Sequence, residues 1–302
     1  MLDHPEWVRA PWSEDFTDIE GLGHETQPNL RTRMKMLWSD EGLYIGAELE
    51  EPNLWATLTE RDSVIFHDND FEVFLDPDDD CHQYIELEIN ALNTVWDLLL
   101  PKPYRDEGEA LNSFELKGLK TAVHLEGKLN DPTAKDHGWS VAIFIPWTAI
   151  APVSTKRVPP KLGDRWRINF SRVEWDLEAK DGKYQKVPNR PEHNWVWSPQ
   201  QMIDMHQPEM WGFLEFVERI GGIGDDPLWE ARQILRKVYQ AQKQHQKLTG
   251  KYAQKLEDIG IAYADPKQIT FVPGERQWFF SIDAKGHRLS IREDSRVSIV
   301  KH

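Results

Sequence analysis

The densest polar-aromatic stretch of the chain is Phe66-His67-Asp68-Asn69-Asp70-Phe71-Glu72-Val73-Phe74-Leu75-Asp76, followed by Tyr84-Ile85-Glu86-Leu87-Glu88-Ile89-Asn90. In an extended strand successive side chains point to opposite faces, so Glu86, Glu88 and Asn90 share one face and Ile85, Leu87 and Ile89 the other. A carboxylate accepts several hydrogen bonds, and an amide both donates and accepts. Such a row suits the adjacent hydroxyls of a sugar. It equally describes a solvated polar sheet face, and the strand pattern alone leaves both readings open.

Tryptophan weighs on that choice. Fourteen Trp and 11% aromatic residues exceed what one β core needs, and Trp offers a large flat apolar surface with a polar edge. Trp38, Trp139 and Trp147 sit in strand or strand-end patterns that predict burial. Trp55, Trp96, Trp175, Trp195 and Trp197 lie nearer loops or polar clusters, where stacking on a sugar ring competes with burial.

Other chemistries fit less well. Glycoside hydrolysis needs two carboxyl groups flanking one bond, but Glu86 and Glu88 are successive same-face residues and would approach a ligand from one side. Nucleophile-elbow, P-loop, dinucleotide-binding and His-Glu-x-x-His motifs are absent from the sequence. The single cysteine, Cys81, lies in an acidic turn that disfavours the reactive thiolate, and it excludes an intramolecular disulfide framework. Two oxygen-rich turns, Asp76 with Asp78, Asp79 and Asp80, and Asp68-Asn69-Asp70, suit Ca²⁺, though neither has EF-hand spacing.

The 302 residues carry 51 acidic and 36 basic side chains, for a net charge of −15. That balance disfavours nucleic acid and anionic lipid as partners. No apolar run approaches the roughly 20 residues of a membrane-spanning helix, and the first residues lack the pattern of a signal peptide.

The elements that must hold these residues read mostly as strands. Period-two apolar runs fall at 34–38, 43–49, 71–75, 84–89, 95–100, 139–145, 165–173 and 194–197, separated by Asp-, Gly- and Pro-rich turns. Many strands without intervening helices predict an antiparallel β-sandwich over residues 1–220. Gly221-Gly222-Ile223-Gly224 reads as a hinge. Beyond it, over 225–302, a helix capped by Asp226 with Pro227 at its first turn should pack Leu228, Ala231, Ile234, Leu235, Val238 and Tyr239 on one face, leaving 240–247 solvated. Strands at 269–272, 277–282, 288–291 and 297–300 complete a small α+β unit.

Four segments carry a resemblance. Lys35-Met36-Leu37-Trp38-Ser39-Asp40-Glu41-Gly42-Leu43-Tyr44-Ile45, Asp70 to Asp76, Gly138-Trp139-Ser140-Val141-Ala142-Ile143-Phe144-Ile145-Pro146-Trp147 and Trp211-Gly212-Phe213-Leu214, in that order, resemble the family 9 carbohydrate-binding modules and their bacterial relatives over about residues 2–217. The resemblance implies a non-catalytic β-sandwich that binds the ends of plant polysaccharides such as xylan and cellulose, outside the cytoplasm or in the periplasm, often with structural calcium and with no required cofactor. It implies that Phe66 stacks on the sugar, that Glu72 hydrogen-bonds it, and that Glu86, Glu88 and Asn90 add polar contacts. The family's second stacking tryptophan has no counterpart in Met202-Ile203-Asp204-Met205-His206-Gln207, where His206, Trp197 or Trp175 would substitute. The candidate sugar-binding set is thus Phe66, Glu72, Glu86, Glu88, Asn90, Trp96, Arg172, Trp175, Trp197 and His206, with Asp76, Asp78 and Asp80 as calcium candidates.

The opening Leu2-Asp3-His4-Pro5-Glu6-Trp7 resembles the middle of the family's first segment, which implies a first strand and an export signal missing ahead of it. The C-terminal unit faintly resembles the soluble part of pilin-like proteins, through Gly250-Lys251-Tyr252-Ala253 and Leu256, and is a candidate for a protein partner. Glycoside hydrolysis and an envelope-associated scaffolding role stand as the alternatives.

Overall fold

The computed structural model describes residues 2, 4–23, 27–218, 226–262 and 268–302. The chain divides into two compact units. One comprises Met1–Asp78, Gln83–Pro101 and Ala110–Ile220; the other comprises Asp79–His82, Lys102–Glu109 and Gly221–His302. The glycine-rich stretch 221–224 lies outside the described residues.

The first unit is an antiparallel sandwich. One sheet holds β1 (Thr17–Asp18), β4 (Asp70–Asp76), β5 (Tyr84–Asn90), β6 (Val95–Leu100), β9 (Arg165–Glu174), β12 (His193–Val196) and β13 (Gly212–Glu215). They run in the order β1-β12-β9-β4-β5-β6, with β13 also on β9. The other sheet holds β2 (Thr32–Trp38), β3 (Gly42–Glu50), β7 (Lys120–Glu126) and β8 (Gly138–Pro146), in the order β2-β3-β8-β7. A hairpin of β10 (Leu177–Lys180) and β11 (Lys183–Lys186) stands apart. The strand pattern predicted the longer members of both sheets. It missed β7, whose alternate positions are only half covered, and the short β1, β10, β11 and β13.

Period-two alternation explains the core. Phe71, Val73 and Leu75 of β4 and Ile85, Leu87 and Ile89 of β5 join Leu43, Ile45 and Leu49 of β3 and Val141, Ile143 and Ile145 of β8 in one buried apolar cluster. Trp139 and Trp147 belong to it as expected, and so does Trp195. Trp55 is buried too, at 8% exposure, whereas Trp38 packs against the cluster from a half-buried position. Trp197 packs on the same cluster, its ring so close to Gly212 that a Cβ there would stand 2.3 Å from it. Only glycine fits at that point.

The second unit packs α1 (Trp229–Thr249) on a meander of β14 (Ile269–Val272), β15 (Phe279–Ala284), β16 (His287–Arg292) and β17 (Val297–Lys301). Ala231, Leu235, Val238 and Tyr239 meet Trp278, Phe280, Leu289 and Ile291. The helix begins two residues later than the Asp226 cap predicts, although the Asp226 carboxylate still accepts the Leu228 N–H. Its polar end is not wholly solvated: Gln242 is fully buried and exchanges two hydrogen bonds with the backbone of Ala253. Among the described residues no helix is long and apolar enough to cross a membrane.

One polar network sits inside the sandwich. Arg172, 1% exposed, donates to Glu51 at 3.0 Å, to Glu174 at 2.8 Å and to the Thr32 hydroxyl at 3.1 Å, with its guanidinium 5.1 Å from the centre of the Trp195 ring. Glu51 also accepts from the Asn69 amide, so the loop before β4 is tied to the same cation. Removing one partner of a buried ion pair strands the other charge. The Arg172→Ala variant should therefore lose about 3–5 kcal/mol, read as a lower urea midpoint of the sandwich unit, and a loss below ~1 kcal/mol would show that the network does not hold the loop.

Candidate functional site

The sheet face opposite the core carries the acidic row. Register places Asp70 beside Asn90, Glu72 beside Glu88 and Phe74 beside Glu86 on β5. It places Ser171 of β9 beside Glu72, and Trp96 of β6 beside Glu88. Contrary to a solvated face, β4 and β5 are buried along their whole lengths on both sides. Glu72, Glu86 and Glu88 are 4%, 5% and 1% exposed.

This face has two halves. The apolar half gathers Phe74, Tyr84, Leu98 and Leu100 under Met205 and Trp211 of the preceding loop of β13, together with Ile19 and Val196. The Trp211 indole N–H donates to the Met205 carbonyl at 2.9 Å, and the Tyr84 hydroxyl meets His206 Nδ1 at 3.0 Å. His206 thus belongs to this covered half, edge-on to Phe74.

The other half is acidic with an aromatic rim. One oxygen each of Asp70, Glu72 and Glu88 lie within 4.8 Å of one another. The Phe66 N–H donates to Glu88 at 2.9 Å, and the Trp175 indole N–H donates to the Phe66 carbonyl at 2.9 Å. Phe66, Trp96 and Trp175 are half-buried, each keeping part of its ring accessible. Lys186 Nζ stands 3.3 Å from the centre of the Trp175 ring, a cation–π arrangement that occupies one face of the ring.

Local hydrogen bonding explains why the loop before β4 is held in place. Asp68, fully buried, accepts from the Thr57 N–H and hydroxyl, the Leu58 N–H and the Asn90 amide. Asn90 donates to Asp68 and to the Leu58 carbonyl, and accepts from the Leu92 and Thr94 N–H groups. Those four bonds use both of its donors and both acceptor positions.

The sequence-derived set therefore separates. Phe66, Glu72, Glu86, Glu88, Trp96 and Trp175 converge on the acidic half. Asn90 lies at its end with its amide fully engaged in the loop. Arg172 faces the sandwich interior with Glu51 and Glu174, Trp197 packs in the core, and His206 sits over the apolar half. The residues that sequence reasoning passed over are Asp70, Ser171 and Lys186. Asp70 follows from the same period-two count as Glu72, whereas the sequence pattern groups it with Asp68 and Asn69 in an acidic turn.

The calcium candidates disperse. Asp76 accepts the Asp78 N–H; Asp78 accepts from Ser154, Thr155 and Lys156; Asp80 pairs with Arg296. Elsewhere on the sandwich, a groove of about 520 Å³ runs beside Arg31, Glu48, Glu50 and His137. There Arg31 pairs with Glu50 and Glu48 with Arg33, and the groove holds none of the candidate residues.

Burial is the main cause of the carboxyl shifts here. It pushes Glu72 up to about 7, against a partial offset from the Ser171 hydroxyl, and Glu86 up to about 8, with the Glu72 charge adding to it. Asp70 and Glu88 are also raised well above the carboxylate range, by burial and then by the neighbouring carboxylates. A raised carboxyl binds more protons folded than unfolded, so stability falls as pH rises from the ordinary carboxylate range through the folded values. In chelator, the gain in melting temperature of Glu86→Gln over the wild-type chain should be small near pH ~5 and grow towards pH ~8.5; a gain independent of pH would contradict the assignment.

A model of the family described as "Carbohydrate family 9 binding domain-like" matches residues 3–217. Among solved structures, a candidate carbohydrate-binding protein of Bacteroides uniformis ATCC 8492 shares 16% identity, with 71% of this chain and 88% of that one covered at a TM-score of 0.51. A family 9 carbohydrate-binding module of Caldicellulosiruptor kristjanssonii in complex with cellotriose shares 16% identity over 75% of this chain and 93% of that one, at a TM-score of 0.47. The glucose complex of a module from the same organism gives 17%, 73%, 91% and 0.46. The search of curated proteins finds no significant match. The Bacteroides structure shows the shared fold, and the family model spans the whole sandwich that carries the acidic, aromatic-rimmed face. The chain belongs to the carbohydrate family 9 binding domain-like family.

Proposed function

We propose that the chain binds a plant-type polysaccharide or its oligosaccharides, of the xylan or cellulose kind, without cleaving it, and that the acidic half of the outer sheet face is the site. The observation that carries this reading is the set of partly accessible rings, Phe66, Trp96 and Trp175, bordering carboxyl groups held out of water. Rings of this type supply apolar platforms for the C–H faces of a pyranose. Carboxyl groups raised to about 7 and 8 can both accept from and donate to hydroxyls near neutral pH. Membership of the family supports the sugar class, and it supports placing the chain outside the cytoplasm or in the periplasm.

Hydrolysis is the competing reading. Glu72 and Glu88 are neighbours on adjacent strands of one face, so they reach a ligand from the same side, which favours holding over cleavage.

Calorimetric titration of the full chain with xylohexaose and cellohexaose should give saturable binding to at least one of them. Phe66→Ala and Trp175→Ala should each weaken it by about tenfold or more, equivalent to ~1.4 kcal/mol, with the melting temperature little changed. Absence of heat and of any tryptophan fluorescence change with both sugars would remove the binding reading. Reducing-sugar release that Glu72→Gln abolishes would transfer the site to the hydrolytic reading.

A further inference from the structure

Lys186 ends β11, and backbone pairing fixes its place in the hairpin. Its register partner is Leu177, and the adjoining Val187 N–H donates to the Asp176 carbonyl at 2.8 Å. The hairpin therefore returns the chain to Trp175, where Lys186 Nζ lies 3.3 Å from the centre of that ring and 5.7 Å from the centre of the Trp55 ring. Trp175 gives its indole N–H to the Phe66 carbonyl, so the ammonium stands at the aromatic rim of the acidic half.

An ammonium carries three donors and no acceptor. Among the described residues the Lys186 ammonium makes no hydrogen bond and no ion pair, and its charge rests on the two indole faces. It is half-buried, and burial lowers its pKa, with Asp68 and Glu192 acting on it only through space. Loss of water without a compensating hydrogen bond is costly for a charged group. The acids of the adjoining segments are engaged elsewhere. Asp68 accepts four bonds from Thr57, Leu58 and Asn90, Glu174 pairs with Arg172, and Asp176 pairs with Arg190 at 2.7 Å.

The open donors call for an oxygen from a ligand, and the charge selects which kind. A neutral hydroxyl supplies one hydrogen bond and leaves the charge uncompensated, whereas a carboxylate supplies the bond and the counter-charge together. A single ammonium is a compact point charge suited to a monoanion, and it lacks the planar fork with which arginine grips phosphate. The nearby carboxyl groups do not repel such a ligand below neutrality. Burial raises Glu72 to about 7 and Glu86 to about 8, so both keep their protons in more acidic solution.

We propose that Lys186 sets the specificity of the sugar site, and that the preferred ligand is an oligosaccharide bearing a uronic acid whose carboxylate pairs with the Lys186 ammonium. This inference rests on the sugar reading and narrows its substrate class from neutral to acid-substituted chains.

The test is calorimetric titration of the full chain at pH ~6, below the folded values of Glu72 and Glu86, where a uronate remains ionised. Three probes are compared: xylohexaose, cellohexaose, and a xylo-oligosaccharide of the same length carrying one glucuronic acid. The acidic sugar should bind about fivefold or more tightly than xylohexaose, and the advantage should shrink as NaCl rises from about 0.05 M to about 0.5 M. Lys186→Gln should erase the advantage and keep the xylohexaose affinity within about twofold, and Lys186→Arg should retain it. An acidic sugar that binds no more tightly than xylohexaose, or binding of cellohexaose alone, would overturn this inference and leave the sugar reading standing. So would a Lys186→Gln variant that keeps the advantage, or one that loses both xylan sugars equally. Absence of binding to all three probes would remove the sugar reading and this inference with it.

Discussion

Burial of β4 and β5 on both faces is the constraint from which the rest of the sandwich follows. A strand with one wet face can leave polar residues to the solvent, but a strand covered on both sides must satisfy every side chain from within. The inner face meets that demand with Phe71, Val73, Ile85 and Leu87 against the second sheet. The outer face meets it in two ways. Towards one end Phe74 and Tyr84 are closed over by Met205 and Trp211; towards the other, carboxyl groups are gathered and burial raises them towards neutral pH, with aromatic side chains at the border.

The loop before β4 belongs to this same problem. Asp68 and Asn69 reach in opposite directions, Asp68 to the Thr57 segment and Asn90, Asn69 to Glu51 and the Trp175 N–H. Phe66 is consequently positioned by buried polar bonds on both sides of it in sequence and space, and not by its own packing alone. That arrangement gives a binding face the rigidity that a surface loop lacks.

What the sequence revealed depended on whether the cause was local. Strand alternation located β3, β4, β5, β8 and β9 and identified their inward residues, because period two is a property of the strand itself. It grouped Glu86, Glu88 and Asn90 on one face for the same reason, while Glu72 joined them through the family resemblance. It could not reveal that this face is covered, since the cover comes from residues 205–211, remote in sequence. Arg172 shows the complementary limit. The sequence counts it among the sugar-binding candidates, whereas it points into the sandwich, because the partners that make an inward arginine tolerable, Glu51 and Glu174, lie on a distant loop and at the strand's end. Helical polarity predicts a solvated Gln242, because it says nothing about the Ala253 backbone that this side chain meets.

The second unit is not a contiguous tail. Asp79 pairs with Arg232, Asp106 with Tyr239 and Lys243, and Cys81 joins the apolar cluster around Trp278, all within that unit although the chain contributes these residues far upstream of α1. A gene segment beginning at residue 225 therefore encodes a helix and meander stripped of their own counter-charges and of part of their core. Such a unit cannot be passed between proteins by a single recombination joint. It is complete only together with the two short upstream segments Asp79–His82 and Lys102–Glu109.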